Sequence, residues 1–182
     1  KYGLGRLVRD QPEPKVERYS GIPVDLPLKW LKNPSDPAIP RQFLDMAEKF
    51  SKIAPVAEKL ITNLTNPNGK RVSVLVGPTG TGKSTWVPYR LLRSRIGEQG
   101  RILVTQPRTI TLRQDPGSED PTTTPGYIAS KLMGLPPPWL GPGQEIGFQY
   151  GGVYDQKDAY TKLLFVTDGT LINWIQSGEI GD

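Results

Sequence analysis

The residues with the clearest chemistry are Gly77-Pro78-Thr79-Gly80-Thr81-Gly82-Lys83-Ser84, which fit the pattern G-x-x-x-x-G-K-[ST] at every fixed position. Each residue type has a reason to be there. Glycines let a backbone curl with its N–H groups facing inward, making a concave seat for an anion. A helix that starts just after the loop adds unpaired N–H donors and the positive end of its dipole. Lys83 would then reach the β- and γ-phosphates of a nucleoside triphosphate, and the Ser84 hydroxyl would ligate Mg²⁺. Thr85 places a second hydroxyl beside it. The alternative is a chance glycine-rich turn, which would not require four fixed positions between a strand and a helix. The ligand set expected of this loop is therefore ATP, or another NTP, with Mg²⁺.

The expected setting of such a loop is between a strand and a helix that hold its two ends. Residues 72–76 (Val-Ser-Val-Leu-Val) are a short apolar, β-branched run that predicts a buried strand, and residues 84–95 predict the helix. A second strand is expected at 101–105, others at 145–150 and 162–166, and helices at 127–133 and from 171 onward. Residues 113–125 and the Pro136-Pro137-Pro138 stretch read as connections. Upstream, apolar residues from Phe43 to Leu64 recur at helical spacing, with Pro40 suited to the first turn and Pro55 expected to kink or split the helix. Strands alternating with helices predict an α/β domain with a mostly parallel sheet covered on both faces.

Three further segments follow the loop in order. Gln106-Pro107-Arg108 closes the second strand, Ile146-Gly147-Phe148-Gln149-Tyr150 forms a later one, and Thr167-Asp168-Gly169 ends another. With the phosphate loop and Pro88, they resemble the first motor domain of superfamily 2 helicases of the DEAH/DExH type, over residues 72–175. The resemblance implies a RecA-like P-loop NTPase fold and an ATP-dependent RNA helicase activity. It implies that Gln106, Pro107 and Arg108 grip a nucleic-acid backbone, with Arg108 as phosphate ligand. It also implies that the Thr167 hydroxyl and the amides of Asp168 and Gly169 meet another phosphate. Backbone contacts of this kind are what sequence-independent movement along a strand needs. Taken singly, Gln-Pro-Arg reads as a strand end with a surface arginine, and Thr-Asp-Gly as a helix N-cap. Phe148 and Tyr150 alternate in a strand and read as core.

The departures from that family are as informative. Thr109 stands where a second arginine is usual, and Pro78 where cellular members carry an acidic residue; with the 113–125 stretch they suggest a divergent branch, viral or bacterial. The acidic Asp-Glu-x-His motif cannot occur, because the chain has no histidine. Lacking that motif and a second helicase domain with its arginine fingers, worth about 10³–10⁵ in rate, the 182 residues are expected to bind nucleotide and to hydrolyse it poorly. Truncation within a longer helicase is the simplest expectation, and the absence of an initial methionine agrees with it.

Composition narrows the rest. Without cysteine or histidine there are no disulfides, no Cys/His zinc site and no histidine-based nucleophile system. No apolar run approaches the roughly 18 residues of a membrane span. A net charge of +5 permits a polyanionic partner without demanding one. The expected organisation is an extended arm or linker at 1–39, a candidate for docking on a partner protein, then an amphipathic helical segment at 40–66. The motor domain follows at 67–182. Single-stranded RNA is the expected partner, with DNA left open. The competing reading is a nucleotide-binding assembly or interaction module without turnover. A cytoplasmic location is the expectation, with nuclear and viral replication sites as alternatives.

Overall fold

The computed structural model describes residues 32–69, 72–113, 121, 123–135, 140–151 and 154–179. Most of the 1–39 arm and the Pro136-Pro137-Pro138 stretch lie outside the described residues.

Pro55 divides the upstream helix as expected. Helix α1 runs Arg41–Ser51 and α2 runs Ala54–Thr65, with Pro55 in the first turn of α2, where its missing N–H costs nothing. The helix expected at 84–95 is shorter and broken. It forms as α3, Trp86–Leu92, and α4, Arg95–Gln99. The break lies at Ser94, whose side chain accepts from the Ile96 amide at 3.2 Å and so caps a new helix rather than continuing the old one. Arg90 Nε on α3 meets Glu58 Oε1 on α2 at 2.8 Å, locking the two helices together.

The sheet contains β1 Ile102–Gln106, β2 Ile146–Tyr150, β3 Tyr154–Gln156 and β4 Leu163–Thr167, in the order β1-β4-β2-β3. The first three strands of that order are parallel, and β3 adds an antiparallel edge. The fold is thus mixed α/β, a parallel three-stranded sheet flanked by helices, as a RecA-like domain requires.

Register decides what each face carries. Ile102, Leu163 and Ile146 are in register and so are Val104, Phe165 and Phe148; these side chains share one face and join the main core with Phe43, Phe50, Trp86 and Ile128. Leu103, Leu164 and Gly147 share the opposite face with Thr105, Val166 and Gln149. Helix α6, Asp168–Ser177, packs on β4, β1 and β2, while Leu164 and Val166 are fully buried outside the main core. Burial on both faces is why β4 reads as an unbroken apolar run. Each such Leu, Val or Phe contributes roughly 1.5–3 kcal/mol.

One expectation is reversed and one boundary moves. Residues 72–76 pair with no described strand, and Val72, Val74 and Val76 are 77%, 85% and 88% exposed; Leu75 alone of the run packs against the core. β1 is left as the open edge of the described sheet, and the run's apolar, β-branched composition gives it strand propensity without supplying a ladder. The helix expected at 127–133 starts three residues earlier, inside the end of the 113–125 stretch, of which residues 114–120 and 122 lie outside the described residues. Thr124–Tyr127 is helix α5, continuing through a π turn at Ile128–Leu132, and Pro125 is fully buried in it. Thr123 caps that helix by accepting from the Gly126 amide at 3.2 Å.

Candidate functional site

The phosphate-loop pattern occupies an open, strongly curved segment between residue 76 and α3. Gly80 and Gly82 adopt φ of 77° and 96°, values that L side chains rarely take, which explains glycine at both positions. Gly77, Pro78, Thr79, Gly80 and Ser84 are exposed, Thr81, Lys83 and Thr85 half-buried, and Gly82 buried. The curve is braced from within: Thr81 Oγ1 donates to the Pro78 carbonyl at 3.0 Å. The Gly82 carbonyl accepts the amides of Thr85, Trp86 and Val87 at 3.2, 2.7 and 3.3 Å, which starts α3.

The donor set fits a polyphosphate. Among the described residues, the amides of Thr79, Gly80, Gly82, Lys83 and Ser84 donate to no protein acceptor. Lys83 Nζ donates to the Gly77 carbonyl at 2.7 Å and to the Pro78 carbonyl, so its charge lies along the loop's own backbone. To meet a phosphate it exchanges two neutral acceptors for charged ones, a trade that favours the phosphate. A side chain at Gly80 would meet nothing within 4 Å, so the outer side of the loop is open. Helix α3 begins at Trp86, two residues later than the sequence suggests, so these unbonded amides belong to the loop and not to the helix.

The second group of candidate residues collects at the carboxyl ends of two neighbouring strands. Gln106 and Thr167 are register partners in the parallel β1–β4 ladder. Arg108 follows with extended backbone angles and an exposed side chain, and its guanidinium has no hydrogen-bond or ion-pair partner among the described residues. Pro107 is exposed, and Thr109 opens a 3₁₀ turn, Thr109–Thr111, closed by Thr111 Oγ1 donating to the Arg108 carbonyl at 2.6 Å. On the other strand, Thr167 caps α6. Its hydroxyl lies 2.8 Å from Thr170 Oγ1 and accepts the Thr170 amide at 3.4 Å. Asp168 and Gly169 are exposed beside it. The N-cap reading of Thr-Asp-Gly is therefore the one the geometry displays, and the exposed atoms there are the Asp168 carboxylate and the backbone around Gly169.

Phe148 belongs to the core and stacks on Tyr150 with ring centroids 6.0 Å apart. The structure thus assembles two clusters, the loop and the paired strand ends; no hydrogen bond or ion pair joins them among the described residues. Sequence reading assigns Phe50 to helix packing, and the structure adds that its ring lies against Gly82. Nothing in the spacing signals that contact, because it is made between elements far apart in the chain.

Comparison with known proteins agrees in kind. Over 70 residues the chain is 36% identical to the ATP-dependent RNA helicase DHX33 of Mus musculus, covering 38% of this chain and 10% of that protein. Over 124 residues it is 32% identical to the ATP-dependent RNA helicase HrpB of Escherichia coli K12, covering 67% of this chain and 13% of that protein. The chain thus spans only about a tenth of the length of these curated relatives. No family model matches the chain, and no solved structure does. Over part of its length, then, the chain is similar to ATP-dependent RNA helicases.

Proposed function

We propose that this chain is the front portion of the first motor domain of an NTP-dependent RNA helicase, with ATP–Mg²⁺ on the loop at residues 77–85 and single-stranded RNA across the ends of β1 and β4. The observation that carries this reading is the combination of an open glycine loop, whose amides from Thr79 to Ser84 make no hydrogen bond among the described residues, with Gln106 and Thr167 in register on adjacent parallel strands. Ligands of open α/β sheets gather outside the carboxyl ends of strands, and Arg108, Asp168 and Gly169 are exposed there.

Bound ATP–Mg²⁺ would supply the phosphoryl group whose transfer drives movement along the strand. This chain's part is to hold it. The amides of Thr79, Gly80, Gly82, Lys83 and Ser84 would surround the phosphates, Lys83 would add the positive charge, and the exposed Ser84 hydroxyl would serve the metal. Arg108 would bind an RNA phosphate. The acidic metal motif, the arginine fingers and the strands that complete the sheet beside residues 72–76 would come from other parts of a longer polypeptide. Supporting that division, the relatives are many times longer than the aligned region.

A second reading, a nucleotide-binding interaction module without turnover, is favoured by the exposure of Val72, Val74 and Val76 next to the loop. Phosphate release by the full-length product, with and without poly(U) RNA, separates the two. RNA-stimulated multiple turnover supports the helicase, and nucleotide binding with no turnover supports the module.

A further inference from the structure

We propose that Phe50, on α1, is a positioning residue for the phosphate loop: its ring holds Gly82 in the left-handed conformation from which the loop amides reach the phosphates. The inference rests on the phosphate-loop reading and adds a residue outside the motif to it.

A connected set of contacts carries it. A Cβ placed on Gly82 would lie 2.8 Å from Cδ1 and Cε1 of Phe50 and 3.1 Å from Cβ of Trp86, so glycine is wedged between two aromatic residues. Phe50 is fully buried, and its ring stacks on the Trp86 indole with centroids 4.8 Å apart and planes 20° from parallel. Trp86 leans in turn on Tyr89, 5.4 Å between centroids. Trp86 Nε1 is buried and makes no hydrogen bond among the described residues, so ring packing is what holds the indole. Phe50 is itself secured, with the Lys49 ammonium 5.4 Å from its ring centroid and 4.9 Å from that of Tyr127 on α5.

Gly82 is also the hinge of the site. Its φ of 96° turns the loop, and its carbonyl gathers the three amides that start α3. A free glycine samples both signs of φ, so an unpacked Gly82 would have to be ordered at the moment of binding. The Phe50 ring removes that freedom beforehand.

The experiment titrates the 182-residue chain with mant-ADP and Mg²⁺ well below its unfolding midpoint. Wild type is compared with Phe50→Leu, the milder Phe50→Met, Phe43→Leu and Lys83→Ala. Phe43 is buried on the same helix and shows no clash with Gly82, so it controls for loss of an aromatic from α1. The expected result is about tenfold weaker binding for both Phe50 variants, the size of ordering one residue's backbone, with Phe43→Leu within about twofold of wild type. Thermal midpoints measured alongside should fall in all three phenylalanine variants. Wild-type affinity in folded Phe50→Met, or an equal loss in Phe43→Leu, overturns the positioning role while leaving the phosphate loop intact. If wild type binds no mant-ADP, or Lys83→Ala binds as well as wild type, the phosphate-loop reading fails and this inference falls with it.

Discussion

Gln106 and Thr167 sit side by side at the last paired position of two parallel strands, so the chain leaves β1 into Pro107-Arg108 and leaves β4 into Asp168-Gly169 at the same edge of the sheet. One ladder therefore fixes the spacing of two segments that are far apart in sequence. The pair makes a platform in which β4 is buried on both faces through Val166 and β1 is the half-exposed edge.

Arg108 is the exposed cation of that platform, and it should act by charge. Arg108→Ala should weaken binding of poly(U) and of a mixed-sequence single strand equally. The slope of log affinity against log salt should become shallower by about 0.7, one phosphate's worth on a single strand. Fluorescence anisotropy across a salt series reads both. A loss confined to one base composition, or an unchanged slope, argues against a backbone contact.

Thr167 carries a separable structural duty. Because its hydroxyl caps α6, Thr167→Ala should cost about 1 kcal/mol and lower the thermal midpoint by about 2–4 °C, while Thr167→Ser keeps the cap. Calorimetry of the two variants tests this. If Thr167→Ser loses as much as Thr167→Ala, the methyl group rather than the cap is what matters.

The strands at β1, β2 and β4 are legible in the sequence because their apolar, β-branched and aromatic runs are also where partners exist. Residues 72–76 carry the same signal and form no ladder. Strand propensity describes a side chain's fit to a pleated, covered surface, and it says nothing about which strand will lie alongside. The break at Ser94 and the cap at Thr123 are written in local residue types, a serine before Arg95 and a threonine before Thr124-Pro125, and could be read as helix starts. The wedge of Phe50 against Gly82 could not. It depends on how α1 settles on α3, and no local pattern encodes that.

The unpaired valine run yields a stability prediction with opposite outcomes at neighbouring positions. Val74 is exposed, so Val74→Lys in the 182-residue chain should change stability by no more than about 0.5 kcal/mol. Leu75 packs against the core, so Leu75→Lys should cost about 1–3 kcal/mol. Urea unfolding of both variants is the check. A large cost at Val74 would mean that this run is covered in the chain as it stands in solution.

Lys83 decides the reading most directly. The measurement is the dissociation constant of mant-ADP with Mg²⁺ for wild type and Lys83→Ala. Removing an ammonium that would hydrogen-bond charged phosphates should weaken binding about tenfold to a hundredfold, with the thermal midpoint nearly unchanged because the lysine bonds only to exposed loop carbonyls. Equal affinities in the two proteins, or no binding by either, would contradict a nucleotide site at this loop and with it the helicase assignment.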